Sequence, residues 1–386
     1  MIFIKSCYIM ISKQKKDSNV AKIGIITADL KINQTGLGNY VFGIINTLKD
    51  FEEIYQIHHK NGEKNKDCTT ITPYYPPIPY WYFIWSQLLQ FNQKELLKCD
   101  LIHNAIQYPI PATVSSRYII TIHDLIPILF PKMVTPFYAF QSRCFLPDIL
   151  QKSTRIIAVS KNTKKDIVSC FQIDPEKIDV IYHGISNHFH IPDPQKTIEF
   201  KKRYNLNFPY ILFVGALEPK KNIPNLIKAF YQCLRVDPSI RLVIAGKKSW
   251  KYDEIFSTIQ KLNLKDRVIY LDFFPYEDLP YLYNGAIVFV FPSSYEGFGF
   301  PPLEAMKCGT PVIVSNSSSL PEVVGNEGLI VDPENIENLS YLILKVIADQ
   351  NFREKKIAYY SNRIKLFTWD KSIKEHLNTY QKALSD

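Results

Sequence analysis

Short apolar runs alternate along the chain with longer stretches whose apolar residues recur at helical spacing. The runs include IGIITA, YIITIHD and RIIAVS in the first half, and YILFVG, RLVIAG and AIVFVF in the second. Continuous runs of this kind, bounded by turns, are typical of strands that are buried on both faces. Because the runs alternate with helical stretches, the pattern predicts an α/β fold with two doubly wound parallel sheets.

The two series of strands divide the chain into predicted domains. Residues 1–190 carry the first series and residues 207–366 the second, and the polar, proline-bearing residues 191–206 are predicted to be a linker. Residues 367–386 have the apolar spacing of a terminal helix. Ligands of doubly wound sheets bind beyond the carboxyl ends of the strands. We therefore expect functional side chains directly after strands, in a cleft between the domains.

A glycine turn follows the fourth strand of the second series. In YEGFGFPPLEAMKCGTPVIVS the turn carries Gly297 and Gly299, and a helix is predicted from about Pro301. Glycine lets another molecule approach the main chain closely, and proline suits the first turn of a helix. The free N–H groups and the positive end of the helix dipole then form a site suited to phosphate.

Two carboxylates flank this predicted anion site, Glu296 before the turn and Glu304 after it. Carboxylates repel a phosphate, but they accept hydrogen bonds from hydroxyl groups of the same ligand. A nucleotide sugar carries hydroxyl groups on both its ribose and its hexose. The arrangement therefore favours a nucleotide sugar as the ligand.

Two lysines precede another predicted helix of the second series. After YILFVG comes ALEPKKNIPNLIKAF, in which Asn222 is a predicted helix cap and Lys220 and Lys221 lie at the helix N-terminus. Positive charge is unfavourable at this end of a helix. The placement favours a bound anion such as pyrophosphate over the alternative, a pair of solvated surface lysines.

Two features of the first series also follow strands. His123 and Asp124 come directly after the strand of YIITIHD, at a ligand-facing position, although a lone histidine is also a common structural residue. Gly36 and Gly38 lie between the loop after the first strand and a helix. They do not form GxGxxG with a following acidic residue, so a dinucleotide site is poorly supported and a structural turn stays an open alternative.

Composition and charge narrow the class of protein. The 386 residues suffice for two cores, and a formal charge of +9 is spread over many lysines. That charge is either solvated surface or a means of contact with anionic lipid. The aromatic residues 73–91 either touch a lipid or pack a helix on the first domain. Seven scattered cysteines without a CxxC pair favour free thiols in a reducing cytoplasm.

The sequence contains no DxD pair and no His, Asp or Glu cluster at metal-binding spacing. We therefore expect neither a metal nor another cofactor, and we expect lysines and a helix dipole to neutralise phosphate. The first residues place an apolar run before a basic cluster, the reverse of a signal peptide, and no stretch is apolar enough to span a bilayer. We expect a cytoplasmic protein without a nucleic-acid partner.

Taken together, the motifs resemble those of a family 4 glycosyltransferase. The strongest is PSSYEGFGFPPLEAMKCGTPVI, with seven residues between Glu296 and Glu304. FVGALEPKKN, TIHDLIP, AVSKNTKKDI and VIYHGI occur in the expected order, over about residues 22–384. The resemblance implies the GT-B arrangement, in which two Rossmann-like domains face each other across a cleft and the terminal helix crosses back onto the first. It also implies a retaining hexosyltransferase.

By the same resemblance, the principal roles fall on four side chains. Glu304 is expected to hold the ribose hydroxyls, and Glu296 is expected to contact hydroxyls of the donor sugar. Lys221 is expected to neutralise the leaving diphosphate, and His123 is expected to lie near the reacting carbon. The leaving phosphate itself is expected to accept the proton of the attacking hydroxyl, so neither glutamate is a candidate general base.

The resemblance implies further contacts with the donor. They involve the glycine loop of the first domain, the glycine turn before the helix predicted from about Pro301, and two phenylalanines beside the base. The predicted donor-binding residues are Gly36, Gly38, Lys220, Phe273, Phe274, Gly297, Phe298, Gly299, Phe300 and Glu304. Two positions depart from the family pattern. Ala216 stands where many members have arginine, which removes one cation of the usual phosphate clamp, and Asp272 stands where glycine is common beside the base.

The motifs look like those of mannosyl- or glucosyltransferases of bacterial surface polysaccharide assembly. The implied partners are a UDP-sugar or GDP-sugar donor and a saccharide or lipid-linked acceptor, with peripheral contact to the inner face of an anionic membrane. Two alternatives stay open: a nucleotide-sugar epimerase of the same fold, and an inactive relative that binds a partner transferase or a glycan. The presence of His123, Lys221, Glu296 and Glu304 weighs against loss of activity, and Ala216 weighs for it.

Overall fold

The computed structural model describes six ranges of the chain, and the structural statements below concern these ranges: residues 21–27, 36–48, 53–57, 69–71, 99–107 and 117–386. The first 20 residues and the aromatic residues 73–91 lie outside the described residues. The interpretations that the sequence suggests for those two segments therefore stay predictions.

Among the described residues, seven strands form the first sheet. Their bounds are β1 Lys22–Ile26, β2 Glu53–Ile57, β3 Thr69–Ile71, β4 Leu101–Asn104, β5 Arg117–Ile122, β6 Arg155–Ala158 and β7 Ile178–Val180. The strands are ordered β3-β2-β1-β4-β5-β6-β7 across the sheet. β1 runs parallel to both neighbours, with Ile23 opposite Ile54 of β2 and Leu101 of β4. Six of the seven strands correspond to apolar runs of the sequence, and β3 is additional.

Six strands form the second sheet. Their bounds are β8 Tyr210–Val214, β9 Arg241–Ala245, β10 Val268–Leu271, β11 Val288–Phe291, β12 Val312–Ser315 and β13 Leu329–Val331. The order is β10-β9-β8-β11-β12-β13, and every neighbouring pair is parallel. This order, with the chain winding outward in both directions from its first strand, is that of a Rossmann sheet. The predicted α/β fold with two doubly wound parallel sheets is confirmed.

Helices connect the strands. Their bounds are α1 Gly36–Leu48, α2 Ile126–Leu129, α3 Pro136–Lys152, α4 Lys161–Phe171, α5 Pro194–Arg203, α6 Ile223–Cys233, α7 Asp253–Lys261, α8 Leu279–Asn284, α9 Phe300–Lys307, α10 Leu320–Val324, α11 Ile336–Ala348, α12 Gln350–Arg363 and α13 Trp369–Ser385. α5 lies within the predicted linker, where the Asp193 side chain caps the helix by accepting from two backbone N–H groups. In the part of the chain that the structure describes, none of the helices has the length and apolar character of a membrane span.

The chain divides into two compact units. The first unit holds the described residues up to Thr121, together with Lys152–Ile156 and Leu377–Asp386. The second unit holds Ile122–Gln151 and Ile157–His376. The domain bounds expected from the sequence stay predictions, and each unit is described by itself below.

A buried polar network joins four elements of the first unit. The two ring nitrogens of His103 lie 2.7 Å from the Tyr380 hydroxyl and 2.8 Å from the Thr121 hydroxyl. The Tyr40 hydroxyl lies 2.9 Å from the same Thr121 oxygen. Buried polar groups are costly unless they are hydrogen-bonded, so the network fixes the end of α13 against β4, β5 and α1.

The core of the second unit surrounds the central strands β8 and β11. Phe213 and Phe291 stack with ring centroids 5.7 Å apart, and both side chains are fully buried. Burial of each such ring stabilises the fold by about 1.5–3 kcal/mol. At the far edge, the Tyr360 hydroxyl donates to the Val312 carbonyl at 2.8 Å and accepts from the Leu329 amide at 3.0 Å. The loops that follow β8 and β11 therefore begin from a rigid sheet.

Candidate active site

Three loops of the second unit supply four of the predicted site residues. His123 follows β5, Lys220 and Lys221 follow β8, and Glu296 follows β11. The backbone amide of Ser294 donates to the carbonyl of Lys220 at 2.7 Å, which joins the loops after β8 and β11. The carboxyl ends of these strands are where ligands bind in open α/β sheets.

Gly297 brings the loop after β5 against the loop after β11. A Cβ atom built on Gly297 would lie 1.6 Å from the carbonyl oxygen of His123 and 3.1 Å from Cβ of Asp124. Any side chain at this position would overlap the main chain of the neighbouring loop. The glycine is therefore required by the close approach of two backbones, and it places His123 beside the turn that carries Glu296.

Gly299 sets the start of α9. Its φ angle of +127° is one that L side chains rarely adopt, and it directly precedes the first residue of the helix. The prolines at the second and third positions of α9 fit the first turn, where N–H groups have no helical partner. The sequence signal of two glycines followed by two prolines thus corresponds to a helix N-terminus at the edge of the site.

Two serines after β12 support the glycine turn from behind. The hydroxyl of Ser319 lies 2.6 Å from the carbonyl oxygen of Phe298 and 2.9 Å from that of Glu296, and its one proton is shared between these two acceptors. The hydroxyl of Ser318 accepts from the amide of Glu296 at 2.8 Å. These hydrogen bonds hold the main chain of the turn in one conformation. The sequence signal for them is the serine run of SNSSSLPEVVG, to which sequence reasoning assigned no role.

Lys221 and Glu296 form an ion pair at the centre of the site. The ammonium nitrogen lies 2.5 Å from Oε1 of the carboxylate, and the two side chains are 10% and 12% exposed. The same nitrogen lies 4.8 Å from the centre of the Phe291 ring. Burial acts to raise the pKa of Glu296, but Lys221 and Lys220 outweigh it and hold the pKa below its ordinary value. Glu296 is therefore a charged acceptor of hydrogen bonds.

Lys220 is the second cation of the site. Its ammonium nitrogen lies 3.5 Å from the Glu218 carboxylate. Burial acts to lower the pKa of Lys220, but the carboxylates of Glu296, Asp124 and Glu218 raise it overall, so the side chain is cationic. Two lysines thus lie among three carboxylates at the place where the sequence predicts pyrophosphate, whereas Ala216 is exposed after Gly215.

Asn222 precedes α6 as predicted, but its side chain does not cap the helix. The residue has the left-handed conformation, with φ +52°. Its side-chain nitrogen Nδ2 donates to the Pro333 carbonyl at 2.8 Å. The preference of asparagine for helix caps rests on a local side-chain hydrogen bond. Here the side chain bonds a residue that is distant in sequence, so the lysine loop is held against the segment after β13.

Glu304 lies on α9 and is almost completely buried. The Tyr283 hydroxyl donates to Oε2 at 2.7 Å, and the residue is 9% exposed. Burial raises the pKa of Glu304 to about 7, although the hydrogen bond from Tyr283 acts to lower it. Ligand hydroxyl groups that donated hydrogen bonds to Glu304 would favour the ionised form of its carboxyl group. Tyr283 was missed by sequence reasoning, and its only signal is its place in EDLPYLYNGA.

His183 lies behind His123 and was also missed. The two imidazole rings stack with centroids 5.8 Å apart, and His183 stacks on the Phe300 ring at 4.8 Å with an interplanar angle of 7°. Burial, and then the neighbouring His123, hold the pKa of His183 well below its ordinary value. A neutral ring therefore backs His123. The signal was the histidine of VIYHGI, which follows a strand as His123 does.

The predicted aromatic contacts separate into buried and exposed rings. Phe298 is buried and meets His183 edge-on at 4.7 Å, so its side chain supports the turn from inside. Phe274 is 9% exposed and packs against Tyr204 at 5.0 Å. Phe273 is 56% exposed, with the ammonium of Lys247 4.5 Å from its ring centre. Of the two phenylalanines predicted beside the base, Phe273 is the one whose ring faces outward.

Gly36 and Gly38 lie in the first turn of α1, in the first unit. The other predicted donor-binding residues all lie in the second unit. Within that unit the structure brings together His123, Lys220, Lys221, Glu296 and Gly297. Glu304 lies further along α9.

Two family models and several curated proteins match this chain. Residues 37–188 match the model of Glycosyltransferase Family 4, and residues 194–363 match that of Glycosyl transferases group 1. The chain is 29% identical over 380 residues to O-antigen chain mannosyltransferase B of Escherichia coli, covering 93% of this chain and 99% of the relative. It is 31% identical to O-antigen chain mannosyltransferase RfbU of Salmonella typhimurium, over 67% of this chain and 68% of the relative.

Solved structures with the same fold include Anabaena HepE in complex with UDP and glucose. That structure superposes with a TM-score of 0.77 at 20% identity, over 94% of this chain and 99% of HepE. Sucrose-phosphate synthase from Thermosynechococcus elongatus also gives a TM-score of 0.77, at 21% identity, over 95% of this chain and 99% of that protein. At such identities the likeness shows the fold.

Proposed function

The chain belongs to the family 4 glycosyltransferases, and on that premise we propose that it transfers mannose from a nucleoside diphosphate donor to a saccharide acceptor in surface polysaccharide biosynthesis. The observation that carries this proposal is the ion pair of Lys221 and Glu296 beside the N-terminus of α9. The choice of mannose is supported by the relatives, which are named as O-antigen mannosyltransferases. We propose GDP-mannose as the donor because guanosine diphosphate is the usual carrier of activated mannose.

The proposed roles follow from charge and burial. Glu296 is ionised and accepts hydrogen bonds from hydroxyl groups of the hexose, while Glu304 accepts those of the ribose. Lys221 neutralises the diphosphate, assisted by Lys220 and by the positive end of α9. Because negative charge on the phosphate grows as the sugar departs, these contacts stabilise the transition state more than the bound donor.

We propose that the reaction retains the configuration of the transferred sugar. The bond between C1 and the β-phosphate oxygen breaks, and a bond from C1 to the acceptor oxygen forms on the same face. The proton of the acceptor hydroxyl passes to the departing phosphate oxygen. Glu296 is held ionised by an ion pair with Lys221, which suits a hydrogen-bond acceptor for hydroxyl groups rather than a general acid.

We also propose that the reaction uses no metal ion. The two lysines and the helix N-terminus supply the positive charge that a metal supplies in other transferases. EDTA is therefore expected to leave the rate of donor turnover unchanged. A loss of activity in EDTA that Mg²⁺ or Mn²⁺ restores would reject this part of the proposal while leaving the transfer reaction in place.

The acceptor is proposed to be a saccharide, free or linked to a lipid, at the cytoplasmic face of the inner membrane. The excess of basic residues, which gives a formal charge of +9, supports peripheral contact with anionic lipid. Sedimentation with vesicles tests this placement: binding to anionic vesicles that weakens with salt is expected. A protein that ignores such vesicles at low salt would count against the membrane contact.

The test of the function is nucleotide release from a panel of donors: GDP-mannose, UDP-glucose, UDP-galactose and UDP-N-acetylglucosamine. We expect slow hydrolysis of GDP-mannose by the unmodified protein, and a loss of at least about 100-fold in Glu296→Ala and in Lys221→Ala. Lys228→Ala, which removes an exposed lysine of α6, is the matched control and should retain the rate. Equal rates in all four proteins would contradict the proposed site.

The same assay separates the two alternatives. An epimerase converts the hexose while it stays attached to the nucleotide, so the panel would show a new nucleotide sugar and no free nucleotide. An inactive relative would bind a donor without turnover, and restoring arginine at Ala216 would then be the next experiment. The names of the relatives are those of transferases, which favours neither alternative.

A further inference from the structure

Four aromatic side chains are exposed in the segment that follows Asp124. Phe130, Phe137, Tyr138 and Phe140, called here the aromatic shelf, are 39%, 50%, 43% and 61% exposed. Large apolar side chains usually gain stability by burial, and several exposed together mark a surface that binds something. Leu129 extends the shelf by one further exposed apolar residue.

The buried face of α3 does not account for the whole shelf. Phe137 and Phe140 lie off that face, whereas Tyr138 lies seven residues before the buried Phe145 and continues the line of the face as an exposed residue. The buried residues of α3 are Ala139, Phe145, Leu146, Ile149 and Leu150. A polar residue at 140 would leave these buried residues in place, so the packing of α3 gives no reason for an aromatic side chain at Phe140.

The shelf is continuous with the candidate active site. The Phe130 ring lies 5.5 Å from the ring of Tyr295, the residue directly before the glutamate of the central ion pair. At Tyr138, burial and then the Asp124 carboxylate raise the pKa to about 12, and Lys220 acts to lower it. Tyr138 therefore lies within electrostatic reach of two site residues. A ligand on the shelf would lie beside the reacting groups.

The chemistry of the shelf identifies its ligand class. Residues 126–142 contain a single charged side chain, Lys132. An anionic lipid surface attracts several basic residues together, which this segment lacks. A pyranose ring presents an apolar face of C–H groups and a rim of hydroxyls, and it suits an aromatic face with a polar hydroxyl such as that of Tyr138. Pro131 and Pro136 restrict the backbone, which lowers the entropy lost on binding.

We propose that the aromatic shelf binds the saccharide acceptor, with pyranose rings stacked on Tyr138 and Phe140. This inference rests on the proposed function, because an acceptor exists only if the chain is a transferase. The shelf comprises four rings, more than a single pyranose ring can stack on. Acceptors of two or more sugars are therefore expected to bind more tightly than a single sugar.

The experiment measures binding of the methyl glycoside of α-linked mannobiose by saturation-transfer NMR, without any donor present. Tyr138→Ala and Phe140→Ala are each expected to weaken binding about tenfold, the scale of one lost aromatic contact. Tyr138→Phe keeps the ring and is expected to retain most of the affinity. Tyr341→Ala removes a 58% exposed aromatic residue of α11 in the same unit, and it should bind as the unmodified protein does.

Two outcomes would overturn the proposal. One is that the disaccharide fails to bind the unmodified protein, or binds all variants equally. The other is that Tyr138→Ala and Phe140→Ala lose binding to anionic vesicles and not to the saccharide, which would make the shelf a lipid contact. Nucleotide release is measured separately on the same variants. Loss of saccharide binding with no donor turned over by any protein would keep the shelf as a glycan site and reject the transferase.

Discussion

Replacement of Gly297 by alanine perturbs the site at the point where two loops meet. The new Cβ would lie 1.6 Å from the carbonyl oxygen of His123, whereas real Cβ contacts essentially never fall below 3.0 Å. The two main chains must therefore separate by at least 1.4 Å, because neither atom belongs to a side chain that could rotate away. The separation moves His123 relative to Glu296, which directly precedes the glycine.

The expected size of the effect follows from this displacement. A misplacement of about 1 Å among reacting groups can cost about 100-fold in rate. Overpacking a close-packed interior typically costs about 1–3 kcal/mol of stability, which corresponds to roughly 2–4 °C in melting temperature for each kcal/mol at this domain size. We therefore expect Gly297→Ala to fold, to melt several degrees lower, and to lose at least about 100-fold in kcat/KM for the donor.

The assay is nucleotide release under steady-state conditions, with thermal melting of the same samples. Gly309→Ala is the control, because Gly309 also has a left-handed φ of +78° but lies beyond the opposite end of α9 against the Ile191 side chain. The control should lose stability and keep its rate. If Gly297→Ala retains the rate of the unmodified protein, the close approach of the two loops has no part in the reaction and the reasoning is refuted.

Three further predictions concern charge and ring stacking in the site. Burial raises the pKa of Glu304 from 4.5 to about 7, so the folded protein loses stability as the pH rises between these values and the unfolded chain ionises. In denaturant unfolding, the free energy of unfolding of Glu304→Gln should equal that of the unmodified protein at pH 4 and exceed it by about 3 kcal/mol above pH 7. Lys221→Met should cost about 3 kcal/mol by leaving Glu296 buried and unpaired, and adding Glu296→Gln should restore stability without restoring activity. His183→Ala should lower kcat about tenfold by removing the ring behind His123, whereas His183→Phe, which keeps the stack, should restore most of it; equal rates would assign His183 to stability alone.

Much of the fold could be predicted because its determinants are local. Strands that are buried on both faces need continuous apolar runs, and each run found in the sequence corresponds to a strand. β3 was missed because its three residues, Thr69–Ile71, make too short a run to stand out. The helix α5 was taken as part of a linker because its polar residues outnumber its buried ones, Thr197 and Phe200.

The site could be predicted only at positions where the backbone geometry admits a single residue type. Gly297 and Gly299 carry such a demand, and their positions stood out in the sequence. The ion pair of Lys221 with Glu296 joins residues 75 positions apart, and no local pattern shows that the two side chains meet. The stacking of His183 behind His123 depends in the same way on tertiary structure.

The fate of a labelled hexose tests the central claim most directly. The protein would be incubated with GDP-mannose that carries ¹⁴C in its mannose and with the methyl glycoside of α-linked mannobiose, and the products would be separated by size. The account predicts a labelled saccharide one hexose longer, formed with one equivalent of GDP and absent with Lys221→Ala. Label that stays on the nucleotide, or that appears only as free mannose at every acceptor concentration, would contradict the assignment as a saccharide mannosyltransferase.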